Sequence, residues 1–142
     1  MNIGARVGGY SSSVGLPISI GPLPARKKRL VEFGLEAHEK TIGLIQAGRR
    51  AAEVVANYEQ WVRDRGFGQY LLYGPCHGIG MMEVEQPWMD STSTALLEEN
   101  MTFQVDTFFY DTDFGLRWEN GIVVKSGGVE MLSRKFKRLI EL

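Results

Sequence analysis

Thr102-Phe103-Gln104-Val105-Asp106-Thr107-Phe108-Phe109 and, a turn later, Leu116-Arg117-Trp118-Glu119-Asn120-Gly121-Ile122-Val123-Val124 decide how the rest of the chain is read. In the first stretch Phe103, Val105, Thr107 and Phe109 alternate with Gln104, Asp106 and Phe108; in the second, Leu116, Trp118, Ile122 and Val124 fall opposite Arg117 and Glu119. A period of two in aromatic and β-branched residues predicts two strands of a largely buried sheet. Each strand nevertheless carries a carboxylate, and a buried carboxylate is costly unless it is paired or bound to a cation. For Glu119 the sequence offers Arg117, two residues earlier and so on the same strand face. Asp106 has no such neighbour: either it faces solvent beside Gln104, or it serves a site.

Upstream, Tyr70-Leu71-Leu72-Tyr73 reads as a short strand that leads into the loop Gly74-Pro75-Cys76-His77-Gly78-Ile79-Gly80. The glycines around His77 let the backbone pass close to a ligand, although an ordinary hydrogen-bonded histidine fits the same pattern. Farther upstream, Leu30, Phe33, Ala37, Thr41 and Leu44 recur every three or four residues, which predicts an amphipathic helix between Pro24 and Gly48. Ala51, Val54, Val55, Tyr58, Trp61 and Val62 repeat that spacing up to Gly66, a second helix. His38, beside Glu39 and Lys40, reads as a solvated residue of the first helix. Gly8-Gly9 between two short runs within residues 2 to 20 predicts a β-hairpin, which Gly21-Pro22-Leu23-Pro24 ends. Residues 87 to 100 read as polar and turn-rich, with a brief helical turn at Ala95-Leu96-Leu97; Val129-Glu130-Met131-Leu132 adds a last strand, and residues 135 to 140 a turn of helix. The sum is one α+β domain over residues 1 to 142.

Composition narrows the function. A hydrophobic fraction of 44% and a charged fraction of 23% describe a chain that folds around a core. Sixteen Lys plus Arg against seventeen Asp plus Glu, a net charge of -1, disfavour nucleic acid and anionic membranes as partners. The single cysteine, Cys76, cannot close an intrachain disulfide, which suits a reducing compartment. No apolar run approaches a membrane span, and Met1-Asn2-Ile3-Gly4 lacks the basic and apolar regions of a signal peptide, so a cytoplasmic location is expected.

Taken in order, the blocks Gly74 to Gly80, Glu85-Gln86-Pro87, Asn100 to Asp106 and Arg117 to Val124 resemble the pita-bread metallopeptidases. These include methionine aminopeptidase, Xaa-Pro aminopeptidase, prolidase and the metal-free amidinohydrolase creatinase. Asn2-Ile3-Gly4-Ala5, Gly9-Tyr10-Ser11-Ser12-Ser13 and the two-helix stretch ending Gln46-Ala47-Gly48 extend the resemblance over nearly the whole chain. It implies the C-terminal half of such a domain: a curved, mainly antiparallel sheet with two long helices on one face. The family reaction is hydrolysis of a peptide or other C-N bond near an N-terminus, by paired divalent cations that activate a bridging water.

By this resemblance the metal-binding histidine matches His77, and the two glutamates match Asp106 and Glu119. The two metal-binding aspartates fall on Asn2 and Ser13, which carry no charge. The implied site is therefore degenerate: no cofactor, or one weakly held divalent cation, zinc or manganese, on His77, Asp106 and Glu119. Asp106 is also one methylene shorter than the family's glutamate. The family's substrate-binding histidine falls on Val84, the proline after the first glutamate on Thr107, and creatinase's substrate-binding glutamate on Gly15. His77 is the candidate catalytic residue, as a proton carrier in metal-free chemistry on a small peptide or amidine. The expected partner is a second copy of the chain or the N-terminal half that the resemblance leaves out. Catalysis by these residues alone is not expected, and the alternative is a non-catalytic protein-binding module.

Overall fold

Gly8 and Gly9, at φ 59° and 90°, turn the chain between β1 (Asn2–Val7) and β2 (Tyr10–Gly15), the predicted hairpin. The computed structural model describes residues 1–135 and 138–142. After β3 (Ile18–Ser19) come α1 (Ala25–Leu44) and α2 (Ala51–Asp64), then β4 (Cys76–Gly78) and β5 (Glu85–Met89). The long strands β6 (Thr102–Asp111) and β7 (Phe114–Lys125) follow, then β8 (Gly128–Met131) and β9 (Ile140–Glu141). The main sheet runs β1-β2-β7-β6-β4-β5 with β8 also on β7, and its pairings are antiparallel; β3 and β9 pair in parallel apart from it. This is the expected mixed architecture of two helices and a mainly antiparallel sheet.

Both helices fall where their apolar spacing put them. Leu30, Phe33, Ala37, Thr41 and Leu44 are all buried, and α1 packs on β6 and β7 while α2 packs on α1 and β5. Phe33 anchors the layer: its ring stacks on Phe67 at 3.8 Å between centroids and on Phe109 at 5.6 Å. The helix comes close to the sheet because position 34 has no side chain; a Cβ there would lie 2.6 Å from Leu116 Cδ1. The Trp118 indole N–H uses that proximity to donate to the Val31 carbonyl at 3.0 Å.

Six expectations need correction. Residues 70 to 73 are not a strand: a 3-10 turn covers Gly68–Tyr70, and Leu71 makes one isolated bridge to Phe109. Pro75 has no N–H to donate, so ladder pairing with β6 resumes only at Cys76. In consequence His77 sits on a strand, not in a loop. Glu85–Met89 is a strand although it contains Pro87; it is at the sheet edge, where a missing donor is tolerated. Ala95-Leu96-Leu97 is extended, because its backbone bonds across to residues 49 and 51 rather than within itself: Leu97 N–H to Arg49 and Ala51 N–H to Ala95, each 2.9 Å. Of the expected terminal helical turn, Phe136 and Lys137 lie outside the described residues, while Ile140 is in β9, paired with Ile18. Finally, His38 is not solvated; it is 2% exposed, between α1 and the sheet.

Candidate functional site

The β6–β7 register sets Asp106 directly opposite Glu119, on the sheet face away from α1. On the other side of β6, β4 places His77 across from Gln104. His77, Asp106 and Glu119 thus line one cleft of about 400 Å³, together with Tyr73, Glu83, Val84, Trp88 and Arg117. All three predicted residues are buried, at 5%, 4% and 2% exposure, which overturns the alternative of Asp106 on an exposed sheet face. Gly15, paired with Glu119, makes room for that side chain, since a Cβ at 15 would lie 2.9 Å from Glu119 Cβ.

Arg117 pairs differently from the expectation. Its Nε is 3.0 Å from Asp106 Oδ1, while its Nη1 is 3.9 Å from Glu119 Oε2. The side chain lies across from Phe108 in the register, diagonal to Asp106, and a diagonal neighbour is within reach of so long a side chain. Tyr73 completes the cluster. Its hydroxyl donates to Asp106 Oδ2 and accepts from Arg117 Nη2, both at 2.9 Å, and its ring stacks on Phe108. Tyr73 and Trp88 are cleft residues that the sequence reading missed. Counting diagonal partners across two predicted strands would have found the Arg117–Asp106 pair; no local pattern marks Tyr73.

Charge in the cleft is incompletely balanced. Among the described residues, Asp106 Oδ1, Arg117 Nε and Glu119 Oε2 are buried with no aligned hydrogen-bond partner, so the Arg117–Asp106 contact is electrostatic in character. Burial pushes the Asp106 carboxyl up, against the opposing pull of Arg117. Burial first, and Asp106 next, push Glu119 up to about 7, and burial pushes the Tyr73 phenol up to about 12. His77 Nδ1 lies 3.0 Å from the Gly78 carbonyl, which can only accept, so Nδ1 donates there and Nε2 is turned away from that bond.

Asn2 pairs with Gly15, which pairs with Glu119, so Asn2 and Ser13 lie on the Glu119 face of the sheet; there the Ser13 hydroxyl donates to Asn2 Oδ1 at 2.8 Å, and Ser13 also acts on the Glu119 carboxyl, against the upward push of burial. Among the described residues, no group of three His, Cys, Asp or Glu side chains lies close enough together to hold a metal ion. Val84 is in the cleft wall, 41% exposed. Thr107 faces the other way, where its hydroxyl is 3.1 Å from His38 Nδ1 and His38 Nε2 is 2.9 Å from Asn120 Oδ1. An amide oxygen can only accept, so Nε2 donates to Asn120, and the Thr107 hydroxyl, able to donate or accept, satisfies Nδ1. His38 therefore ties together the residues that follow Asp106 and Glu119, from beneath the sheet.

A mainly antiparallel sheet backed by two helices, with a histidine and two carboxylates on its open face, is the architecture of pita-bread peptidase domains. The sequence pattern of metallopeptidase family M24 matches residues 1–126, and the chain belongs to that family. Among curated proteins it is 22% identical over 141 residues to an Xaa-Pro dipeptidase of Pyrococcus furiosus, covering 99% of this chain and 40% of that protein. To an uncharacterized peptidase of Bacillus subtilis it is 27% identical over 143 residues, again 40% of the relative. The chain thus spans well under half the length of these relatives. Among solved structures, an X-Pro aminopeptidase from Thermotoga maritima superposes with a TM-score of 0.94 at 26% identity, over 99% of this chain and 40% of that one. An Xaa-Pro dipeptidase from Bacillus anthracis does so at 0.93 and 29%, over 99% and 41%. No described helix is long and apolar enough to cross a membrane.

Proposed function

We infer that this chain is the C-terminal part of an Xaa-Pro peptidase-type hydrolase domain whose metal centre is degenerate, so that it does not carry out two-metal peptide hydrolysis. The observation that carries the reading is the hydrogen bond from Ser13 to Asn2, which joins two neutral side chains at the positions where the family resemblance puts bridging aspartates. A bridging carboxylate supplies the negative charge that holds two dications at close range; an amide and a hydroxyl bonded to each other do not. The residues present do not fit a pair of divalent cations, and no step of a metal mechanism is assigned to them. His77, Asp106 and Glu119 remain as the polar groups of a cleft that suits a short peptide or similar small molecule, with Val84 and Trp88 as its apolar wall.

The test is metal content by elemental analysis after purification in manganese or zinc, together with release of amino acids from Xaa-Pro dipeptides. Less than about a tenth of an equivalent of bound ion and no release are expected. About two equivalents of ion with turnover would overturn the reading.

A second reading, a module that docks another polypeptide, draws on β1. Every residue of this edge strand is exposed, with Ile3 at 52% and Val7 at 81%. An open strand edge with apolar side chains is a template for pairing. The proposed partner is an N-terminal half-domain or a second copy of the chain, and light scattering on a size-exclusion column separates these from a stable monomer.

A further inference from the structure

The β1–β2 hairpin and the connection from β4 to β5 hold each other across the open face of the sheet. By register, Gly4 and Arg6 of β1 and Ser11 and Ser13 of β2 share the face that carries Glu119. From there the Ser11 N–H donates to the Gly80 carbonyl at 2.7 Å, and Arg6 Nη2 donates to the Met81 carbonyl at 3.0 Å. Arg6 Nε meanwhile donates to the Gly9 carbonyl of its own turn at 3.2 Å, so the guanidinium is held at two points. The receiving segment, residues 80 to 84, is a turn closed on itself: the Gly80 N–H bonds the Met82 carbonyl at 3.1 Å and the Met82 N–H bonds Glu85 Oε2 at 3.0 Å. Buried Ile79 anchors one end and β5 the other, but Met81, Met82, Glu83 and Val84 between them are all exposed. Among the described residues, the hairpin tip, residues 4 to 12, makes no hydrogen bond to the rest of the domain except to this segment.

Two cavities meet at this segment. Glu83 and Val84 bound the cleft of about 400 Å³; on the other side a groove of about 460 Å³ runs from Gly4, Arg6 and Ser11 to Met82 and the same Glu83. We propose that residues 80 to 84 form a strap between cleft and groove, latched by Arg6, and that this latch sets the length of peptide the cleft admits. Latched, the cleft ends at Glu83 and takes a dipeptide; released, cleft and groove join into one trough that takes an extended peptide. The proposal rests on the reading of the cleft as a site for short peptides and adds what limits their length. A segment with exposed side chains and few hydrogen bonds opens at a free energy far below that of global unfolding. Its internal bonds keep the turn intact when it swings, so what holds it shut is the pair of donors on the hairpin. Of these the guanidinium is charged and oriented in advance by its bond to Gly9, which makes it the stronger. Arg6 is thus a positioning residue: it reaches a bound peptide only through the strap.

The experiment compares the parent, Arg6→Ala and Arg6→Lys by amide hydrogen exchange and by titration with two probes, the dipeptide alanyl-proline and the pentapeptide alanyl-prolyl-trialanine, each followed at the indole resonance of Trp88 in the cleft wall. In Arg6→Ala the Ser11 amide should exchange roughly tenfold faster or more, while the Val124 amide, bonded to Met101 at 2.9 Å within the domain, keeps its rate. Pentapeptide affinity should rise about tenfold relative to that of the dipeptide. Arg6→Lys keeps the charge and one donor and should fall between parent and Arg6→Ala. A merely structural role would move both amides and both peptides together. Arg6 is exposed, so the alanine variant should fold; if it does not, Arg6→Lys carries the same comparison. Unchanged exchange at Ser11, or an unchanged ratio of the two peptide affinities, overturns the proposal and leaves the peptide-site reading intact. Neither peptide moving Trp88 in any of the three proteins removes that reading, and the proposal with it.

Discussion

Replacing Glu119 by glutamine asks whether the second carboxylate of the cleft is ionised at neutral pH. Glu119 is 2% exposed, its Oε2 has no hydrogen-bond partner among the described residues, and burial, with Asp106 adding to it, raises its carboxyl from 4.5 to about 7 against the opposing pull of Arg117 and Ser13. In the unfolded chain the group titrates near its ordinary value. Between the two values the folded protein holds a proton that the unfolded chain has released, so stability falls as pH rises. The contribution is fully present below about 4.5 and is gone once pH has passed through about 7. At roughly 1.4 kcal/mol per pH unit, a rise of about 2.5 units corresponds to about 3 kcal/mol. Glutamine keeps the shape and cannot titrate. The unfolding free energy of Glu119→Gln relative to the parent should therefore shift by about 3 kcal/mol in favour of glutamine between roughly pH 4 and pH 8. Urea denaturation in chelator across that range measures it, and taking the difference cancels the other titrating groups. A difference that does not vary with pH, or that moves in favour of glutamate, would refute the reasoning: Glu119 would then be ionised throughout, with Arg117 as its effective counter-charge.

His38→Leu should cost about 2–4 kcal/mol in calorimetry, because Thr107 and Asn120 would each keep a buried polar group without its partner. Two glycines of α1 should respond with opposite signs in chemical denaturation. Gly34→Ala forces a methyl to within 2.6 Å of Leu116 and should lose a net ~1 kcal/mol. Gly43→Ala meets nothing within 4 Å and should gain about 0.5–1 kcal/mol from helix propensity alone.

Periodicity located the elements whose apolar stripes are long. Both helices, the hairpin and the β6–β7 pair were legible because each repeats its pattern over several turns or pleats, and because the turn at Gly8-Gly9 is marked by residues that tolerate positive φ. The short strands were not. β4 is three residues long and flanked by Gly74-Pro75, and β5 contains a proline, so their strand character comes from pairing with β6 and with each other rather than from their own composition. His38 failed for a related reason: Glu39 and Lys40 beside it suggest a wet surface, yet the helix turns it toward Thr107 and Asn120 on strands that a local reading does not bring near. Asp106 and Glu119 stood out as acids on apolar strands, while it was the family resemblance, not a local pattern, that grouped His77 with them. Tyr73 was invisible, since its role depends on a diagonal contact from β7 and a stack on β6.

The two carboxylates of the cleft do not share one fate, and the arithmetic of charge explains why. Among the described residues one guanidinium pairs with these acids, and it sits 3.0 Å from Asp106 but 3.9 Å from Glu119. Tyr73 adds its hydrogen bond to the same carboxylate, so Asp106 takes the cation and Glu119 is left to rely on a proton. The two acids also repel each other, which raises Glu119 further when Asp106 is ionised. On this account the perturbations are separable. Removing Arg117 harms the protein through Asp106 and should do so at neutral pH, whereas removing the Glu119 charge helps, and more so as pH rises. A cleft in which both substitutions destabilised equally at pH 8 would have its charge distributed over the two acids, and the assignment of the guanidinium to Asp106 would fall.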